Sequence, residues 1–431
     1  MRSTYKKNQK IIPLSKKKSD ILIYGDFNCT TGFGNVIKEL IENFLKLDSK
    51  NNFYIFSIND YSEKPYNYQN NERVFVIPGN VAPFHVESDI YQRIAFLSFV
   101  NANDFAIIFM LNDLEIIGSI SKDLIFLNSE KKKLKKQQFK TIFYFPLDSK
   151  ILDENYKFLE GINEVATFTD YAYNSIIEFN PKLEKKLHVI NHGVNTDDFY
   201  PIISTSIKHQ KDLYFGPDKY VIGTVNRNSS RKDLANLIIA FCSFKNDLKH
   251  TLESEKYVLY IHANPEDKFG INLRYLIKLL KLQENKDVFF PNEKFFNENK
   301  GITSIKLNEI YNFLDLFVST STSEGWGLTV TEAMATKTLT IVPLHTSLKE
   351  ITDYGKNTIG LYDLSESILF LDAIKIRYKT NPKEIKQKIH YAISLHEKQK
   401  NSIIEFAFEK VKTYNWETCS EQLYSLIKKH L

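Results

Sequence analysis

The stretch Ser321-Thr-Ser-Glu-Gly-Trp-Gly-Leu-Thr-Val-Thr-Glu-Ala-Met-Ala335 is the most informative part of this sequence. It follows the apolar run Leu316 to Val318, which predicts a short buried strand. A helix is predicted to begin at Leu328 or Thr329, after the glycine-containing turn. The unpaired N–H groups of that first helical turn favour a phosphate. The sequence therefore predicts a strand, a ligand-binding turn and a helix, which is the repeating unit of α/β sheets.

Two glycines and two glutamates give this turn its chemistry. Gly325 and Gly327 bracket Trp326 and let the backbone approach a ligand closely. Glu324 lies in the loop, and Glu332 is expected in the first turn of the helix. Ionised carboxylates accept hydrogen bonds from hydroxyls, so this pair can bind a sugar and a ribose at two points of one ligand. A helix-capping glutamate and a surface glutamate would give the same spacing.

A second constellation lies at the end of another predicted strand, in Gly223-Thr-Val-Asn-Arg-Asn-Ser-Ser-Arg-Lys-Asp233. Arg227 and Lys232 bring two cations to the edge of the sheet where ligands bind. A guanidinium fork next to an ammonium group suits a diphosphate. The alternative is a basic loop with ordinary solvent contacts.

A third turn opens the first helix of the chain, in Asn28-Cys-Thr-Thr-Gly-Phe-Gly-Asn35. Gly32 and Gly34 resemble part of a phosphate-binding turn, but the third glycine of the dinucleotide fingerprint is absent from the sequence. The residues themselves predict a tight turn whose backbone faces a cleft.

Three further polar residues, Asp113, Asp148 and His192, each follow a predicted strand in the first half of the chain. They are therefore expected on the ligand face of the first domain. A capping or turn aspartate and a structural histidine are the alternatives.

The same β-then-α alternation occurs twice along the chain, which predicts two doubly wound α/β domains with a ligand cleft between them. The chain from Ser365 onward is predicted to be helical. The expected organisation is a Lys-rich tail (1–19), a first domain (20–200), a linker (201–217), a second domain (218–405) and a C-terminal helix (406–431).

Composition limits the class of protein. The chain has 431 residues, of which 43% are hydrophobic and 25% are charged, which excludes a wholly disordered chain. It has three scattered cysteines and neither a metal-ligand pattern nor a long apolar run, so we expect a cytoplasmic protein without a bound metal or other cofactor. Lysine clusters such as Lys131 to Lys136 leave open peripheral contact with an anionic membrane surface or a nucleic-acid partner.

From about residue 20 to 425 the sequence resembles the GT-B glycosyltransferases, specifically retaining family four, also called glycosyl transferases group 1. Glu324 to Glu332 resembles the family's E-x7-E motif, and Arg227 with Lys232 resembles its Arg-x4-Lys pair. The segment Asn191 to Pro201 resembles the end of the family's first domain, and Gly32-Phe-Gly34 its first glycine loop. The four motifs stand in the family's order.

The resemblance implies a fold and a reaction. Two Rossmann-like domains would face each other across a cleft, with the C-terminal helix crossing back to the first domain. The enzyme would transfer a sugar from a nucleoside-diphosphate sugar, with UDP or GDP as the leading bases, to a hydroxyl of a glycan or lipid-linked glycan. Transfer would proceed with retention and without an essential metal. The oligomeric state stays open.

The resemblance also implies residue roles. Arg227 and Lys232 would hold the diphosphate, Glu332 the ribose and Glu324 the donor sugar. The turn backbone would contact sugar and phosphate through Gly325, Trp326, Gly327, Leu328 and Thr329. The side chains expected to face the sugar and the acceptor are His192, Asp113 and Asp148.

The sequence departs from the family after Ala335. Lys337 and Leu339 stand where the family usually has glycine and proline, and we expect Lys337 to affect the rim of the nucleotide pocket. Two other classes of function remain open: a nucleotide-sugar epimerase or phosphorylase on the same fold, and a non-catalytic protein that binds nucleotide sugars.

Overall fold

The computed structural model describes residues 19–29, 31–81, 89, 91–150, 154–291, 302–370 and 374–431. The prediction for the Lys-rich tail at residues 1–19 lies outside the described residues, apart from Ser19.

The first domain alternates strands and helices from Ile21 to Val189. Its strands are β1 Ile21–Asp26, β2 Phe53–Ile58, β3 Tyr66–Asn67, β4 Val74–Pro78, β5 Ile107–Leu111, β6 Lys140–Phe145, β7 Glu164–Thr167 and β8 Leu187–Val189. Its helices are α1 Gly32–Leu47, α2 Arg93–Ala102, α3 Leu114–Lys133 and α4 Asp170–Phe179.

The second domain repeats the pattern and adds a hairpin. Its strands are β9 Tyr220–Val225, β10 Tyr257–His262, β11 Val288–Phe289, β12 Leu316–Val318, β13 Leu339–Pro343, β14 Ile359–Leu361, β15 Leu364–Phe370 and β16 Ile374–Thr380. The remaining helices are α5 Thr205–Phe215, α6 Leu234–Asp247, α7 Leu273–Leu279, α8 Ser304–Phe313, α9 Leu328–Ala335, α10 Thr346–Ile351, α11 Pro382–Ser394, α12 Glu397–Lys412 and α13 Trp416–Lys428.

Two separate sheets form the centres of the two domains. Among the described residues, the first sheet has the order β3-β4-β2-β1-β5-β6-β7-β8, and its pairs are parallel except for β3 with β4. The second has the order β11-β10-β9-β12-β13-β14, all parallel. In each sheet the chain order reverses beside the central first strand, so both domains are doubly wound as predicted.

The first strand and the first helix show why the sequence folds this way. All six residues of β1 are buried, and successive side chains enter opposite cores: Ile21 and Ile23 pack in one cluster, Leu22 and Tyr24 in the other. A strand buried on both faces needs helices on both sides of its sheet. In α1 the buried residues Val36, Ile37, Leu40, Ile41 and Phe44 recur at helical spacing along one stripe.

The last helix crosses back to the first domain, which confirms the predicted GT-B arrangement. The Tyr424 ring lies 5.5 Å from the Phe44 ring of α1, and its hydroxyl donates to Asp48. Lys429 donates to the Glu164 carboxylate over 2.6 Å. The C-terminal half of α13 is therefore attached to the first domain.

Three features differ from the sequence-based expectations. The predicted linker contains helix α5, and the boundary predicted at residue 405 falls inside α12, which packs against α9 of the second domain. The prediction of helix from Ser365 onward is wrong at its start, because β15 and β16 form an antiparallel hairpin there. None of the helices in the described part of the chain is long and apolar enough to cross a membrane.

Candidate active site

The loops at the switch points of the two sheets face one another. In the first domain they follow β1 and β5, and in the second they follow β9 and β12. The start of α1 meets the start of α9: a Cβ atom on Gly32 would lie 3.2 Å from Leu328 Cδ1. Two helix N-termini, each favourable to an anion, therefore converge at one point of the cleft.

Glu324 is the centre of the charged groups at this point. Its carboxylate accepts from Arg231 NH1 over 2.8 Å through Oε2, and from Lys232 Nζ through Oε1. Arg231 also donates to the Ser323 carbonyl over 2.7 Å, which fixes the guanidinium against the loop. The loops after β9 and β12, predicted separately from the sequence, are thus joined by this triad of side chains.

The charges of the triad shift one another's protonation. Burial alone would raise the pKa of Glu324, but Arg231 and Lys232 outweigh it and hold that pKa well below its usual value. Burial lowers the pKa of the Lys232 ammonium, which Glu324 opposes. Glu324 is therefore ionised at neutral pH, and two cations neutralise it.

Side chains at the start of α10 form hydrogen bonds with the backbone of the glycine turn. Ser347 Oγ donates to the carbonyls of Glu324 and Trp326, at 2.7 and 2.8 Å, and Thr346 Oγ1 accepts from the Glu324 N–H over 3.2 Å. Gly327 has φ +115°, a conformation that favours glycine, immediately before α9 begins at Leu328. The turn is therefore fixed before any ligand binds.

Glu332 lies in the second turn of α9 and not in the first, because the helix begins at Leu328. Its Oε2 accepts from the Tyr311 hydroxyl over 2.6 Å, and Tyr311 is fully buried on α8. Burial raises the pKa of Glu332 to about 7, and the Tyr311 hydrogen bond opposes that rise. The carboxyl group is therefore poised to change protonation near neutral pH.

Arg227 lies apart from Lys232 in this structure. Its Nε donates to Asp267 Oδ2 over 2.9 Å, and its guanidinium lies 4.7 Å from the centre of the Phe269 ring. Just over half of its side chain is exposed, so it lies at the rim of the site. Arg231, which the sequence analysis did not assign to the site, takes the position beside Lys232 on Glu324.

The predicted turn at Gly32 and Gly34 is a capped helix start. Thr31 Oγ1 accepts from the Gly34 N–H over 3.1 Å and donates to Asp26 Oδ2 over 2.7 Å. A Cβ atom on Gly34 would lie 2.8 Å from the Cys29 carbonyl oxygen, so the tight turn requires glycine there. The α1 N-terminus is thereby fixed opposite α9.

Asp148 joins the two domains at the opposite wall of the cleft. Its Oδ2 accepts from Arg377 NH1 over 2.9 Å and from Ser323 Oγ over 3.3 Å, while Lys375 Nζ lies 3.6 Å from Oδ1. Burial would raise the pKa of Asp148, but Lys375 and Arg377 lower it. Ser149 adds a reciprocal contact, since its Oγ accepts from Ile376 N and donates to Ile376 O. The hairpin β15–β16 thus closes one side of the cleft.

Asp113 faces the same cluster from the end of β5. The cleft walls desolvate it, and with Asp148 and Glu115 they raise the pKa of its carboxyl to about 6. Together Asp113, Asp148 and Lys375 line a cavity of only 10 Å³. This is the side of the first domain on which the sequence analysis placed Asp113 and Asp148.

His192 and Trp326 belong to a buried aromatic cluster between the domains and α13. The His192 ring lies 5.7 Å from Trp326 and 5.4 Å from Trp416, and Tyr414 packs on Trp326 at 4.9 Å. Burial lowers the pKa of His192 to about 3, so it is neutral. The Tyr144 hydroxyl lies 2.8 Å from the Ile190 carbonyl and 2.8 Å from His192 Nδ1. The structure therefore gives both side chains positions in the interdomain core, and the Trp326 backbone alone lies in the turn.

The side chain of Lys337 packs against α12. Lys337 has φ +58°, the conformation that glycine adopts most easily at this position. Its ammonium pairs with Glu405 at 2.7 Å and lies 4.5 Å from the Phe408 ring, both on α12. The effect of Lys337 on the rim of the nucleotide pocket stays a prediction. Leu339 is a buried residue of β13.

Some site residues were missed by the sequence analysis. Arg231, Lys375 and Arg377 are among seven arginines and many lysines, and the scarcity of arginine is the signal that could have found two of them. Tyr311 has no sequence signal of its own, because its contact with Glu332 depends on how α8 packs beside α9.

Residues 206–407 match the family model described as glycosyl transferases group 1. A probable sucrose-phosphate synthase of Thermosipho melanesiensis is 25% identical over 264 residues, which are 60% of this chain and 51% of that protein. The chain spans about half the length of the curated relatives it matches.

Solved structures share the fold. The sucrose-phosphate synthase of Thermosynechococcus elongatus superposes with a TM-score of 0.69 at 13% identity, over 95% of this chain and 98% of that one. The Anabaena protein HepE, solved in complex with UDP and glucose, superposes with a TM-score of 0.63 at 14% identity, over 95% of this chain and 100% of that one. The chain therefore has the GT-B fold, and its residues 206–407 match the group 1 family model.

Proposed function

We propose that this GT-B chain transfers a sugar from a nucleoside-diphosphate sugar to an acceptor hydroxyl. The observation that carries the proposal is the Glu324 carboxylate, shared by Arg231 and Lys232 beside the converging N-termini of α1 and α9. Two cations, two helix N-termini and one carboxylate are what a sugar diphosphate needs: positive charge for the phosphates and an acceptor for the sugar hydroxyls.

Donor binding would redistribute the charges of the triad. A diphosphate next to Lys232 and Arg231 competes with Glu324 for their hydrogen bonds and carries more negative charge than one carboxylate. Glu324 is then released to accept hydrogen bonds from the donor sugar. Arg227 can join from the rim, because more than half of its side chain is exposed.

We assign the nucleoside to the Glu332 side of the cleft. Tyr311 occupies Oε2 of Glu332, which leaves Oε1 to accept from ribose hydroxyls. The backbone N–H groups at the start of α9, at Leu328 and Thr329, then face the phosphates. Ribose, diphosphate and sugar would then lie in this order along one edge of the second domain.

In the transfer step the bond between the sugar anomeric carbon and the diphosphate oxygen breaks, and a bond to the acceptor oxygen forms. The proton of the acceptor hydroxyl passes to the departing diphosphate oxygen, which lies on the same face in a retaining transfer. Lys232, Arg231 and Arg227 stabilise the negative charge that develops on the leaving group, which is the main catalytic contribution. This stabilisation does not require an essential metal.

We further propose a UDP- or GDP-sugar as donor and a glycan hydroxyl as acceptor. One structural neighbour was solved with UDP and glucose, and two relatives are named for sugar-phosphate products, which supports a sugar-type acceptor. We assign Asp113 and Asp148, which line the first-domain wall of the cleft, to contact with that acceptor.

A thermal-shift and donor-hydrolysis screen with UDP-, GDP-, ADP- and TDP-sugars tests the proposal without a known acceptor. We expect one nucleotide to raise the melting temperature and its sugar to be released slowly. The Glu332→Ala variant should lose the shift. If every nucleotide leaves the melting curve unchanged and no sugar is released, the transferase proposal fails. Interconversion of two nucleotide sugars without hydrolysis would indicate an epimerase.

A further inference from the structure

A second and larger cavity lies between the domains, on the other face of the hairpin. In β16, Arg377 points to Asp148, and the next residue, Tyr378, lines this cavity, since adjacent side chains of a strand point to opposite faces. Its volume is 390 Å³, within the range of small-molecule sites. The residues that provide most of its chemistry are Asp170, Tyr171, Asn174, Lys349, Tyr354 and Tyr378.

Tyrosine rings, together with Leu344 and Leu364, form the apolar part of this cavity. Tyr378 stacks on His345 with ring centres 5.3 Å apart and an angle of 17° between the planes, which fixes its orientation. Tyr354 is 63% exposed, and the Lys349 ammonium lies 5.6 Å from its ring. Rigid aromatic faces combined with a few polar groups suit a ligand that has both C–H and hydroxyl surfaces.

The charges of the cavity favour a neutral ligand. Both oxygens of Glu350 are occupied, since they accept from the backbone N–H groups of Asp170 and Tyr171 at 3.2 Å. Asp170 and Lys349 then contribute opposite charges. Asn174 offers both a donor and an acceptor. A phosphate or nucleic acid would meet no net positive charge here, whereas sugar hydroxyls would find partners.

The backbone around the cavity adopts costly conformations. Asp353 and Tyr354 have φ values of +43° and +56°, and Thr346 has +43°. The left-handed region is unfavourable for a bulky or β-branched residue, and such strain is concentrated at functional sites. Here it presents the Tyr354 ring to solvent beside the cavity.

The cavity also contacts the support of the candidate active site. His345 Nε2 lies 2.7 Å from the Ser321 carbonyl, and Thr346 Oγ1 accepts from the Glu324 N–H. The Tyr378 N–H donates to the Thr322 carbonyl over 2.8 Å. A ligand here would therefore lie directly behind the loop that carries Glu324.

We propose that this cavity binds a saccharide unit of a neutral glycan, outside the transfer centre, with Tyr354, Tyr378 and Asn174 as its recognition residues. The identification of that glycan as the acceptor rests on the proposed function. The binding itself does not, and it is tested without a donor.

The experiment is saturation-transfer NMR of the full chain with four probes: tetrasaccharides of α-linked glucose, β-linked glucose, mannose and N-acetylglucosamine. We compare wild type with Tyr354→Ala, Asn174→Ala and the control Tyr275→Ala, a tyrosine of similar exposure on α7. At least one tetrasaccharide should bind wild type and the control equally. Loss of the Tyr354 ring or the Asn174 amide should weaken that binding about tenfold.

Two results would overturn the proposal: no tetrasaccharide binds wild type at millimolar concentration, or both cavity variants bind like wild type. A UDP-sugar thermal shift on the same samples separates this outcome from failure of the proposed function. Nucleotide binding without glycan binding would reject the cavity and keep the transferase. Glycan binding without nucleotide binding would keep the cavity proposal and reject the transferase proposal.

Discussion

The guanidinium of Arg377 lies 2.9 Å from the Asp148 carboxylate, and this contact joins a hairpin of the second domain to a loop of the first. Both side chains are largely buried, at 10% and 20% exposure. Removing one partner of such a pair leaves a poorly solvated charge, which is more costly than losing a surface ion pair. The contact therefore contributes to domain closure and not only to local structure.

Arg377→Ala should lower the free energy of unfolding by about 3 kcal/mol. Urea denaturation measures this change. The matched control is Arg93→Ala, which removes the exposed pair with Asp123 and should cost about 0–1 kcal/mol. Equal losses in the two variants would show that the Asp148 contact has no special role.

The double variant Arg227→Ala/Lys232→Ala should reduce transfer at least about 100-fold, because the leaving diphosphate loses two cations. The fold should persist, since Arg231 still pairs with Glu324 and Arg227 lies at the rim. Donor turnover and circular dichroism are the measurements. Arg274→Ala, which removes an exposed arginine of the same domain, should be fully active. Retained turnover in the double variant would remove the diphosphate role.

Glu332 gives the protein a pH dependence with a defined sign. Its pKa rises from 4.5 to about 7 on folding, so the folded state holds the extra proton between these values. Stability therefore falls as pH rises through this window. Glu332→Gln cannot ionise, and its melting temperature relative to wild type should increase from pH 5 to pH 8. A constant difference between the two proteins would contradict the assignment.

Nucleotide binding should respond to the same carboxyl group in the opposite direction. Ribose hydroxyls donate to the ionised form, so wild-type affinity should improve as pH rises through about 7. Glu332→Gln should lose this dependence and about 1.5–3 kcal/mol of binding free energy at high pH. Isothermal calorimetry measures both effects, and unchanged affinity in the variant would reject the ribose assignment.

Sequence patterns predicted the parts of this molecule that depend on local order. The two doubly wound sheets follow from buried runs such as β1, and the turn at Gly327 follows from its position between a strand and a helix. Patterns could not select between Arg227 and Arg231, because the partner of each is supplied by a distant loop. In the folded protein Arg231 pairs with Glu324, and Arg227 pairs with Asp267.

The hairpin was missed although its pattern was present. Residues 374–380 alternate apolar and basic side chains with a period of two, which predicts a strand with one polar face. The helical pattern of the following residues concealed it. For His192 the pattern was present but misleading. Its position after a strand suggested a ligand contact, but packing of α13 enclosed it in the aromatic cluster.

The Lys337→Glu variant tests the contact of Lys337 with α12. The side chain pairs with Glu405 on α12, so reversal of its charge should lower the free energy of unfolding by about 1 kcal/mol. Nucleotide affinity should stay unchanged if the Lys337 ammonium keeps to its partner on α12, Glu405. Calorimetry with the preferred nucleotide checks this. A clear loss of affinity would show that Lys337 affects the rim of the nucleotide pocket.

Gly325→Ala should uncouple donor binding from transfer. A Cβ atom on Gly325 would overlap the Pro146 Cβ of the first domain and come within 3.2 Å of its Cα, so the domains must separate slightly. Lys232 and Glu332 both belong to the second domain, so nucleotide affinity should be preserved. A displacement of about 1 Å between reacting groups costs about 100-fold in rate, which is the expected loss of transfer. Pro146→Gly removes the opposing Cβ and should restore part of the activity in the double variant. Full activity of Gly325→Ala alone would mean that transfer does not need this closed contact between the domains.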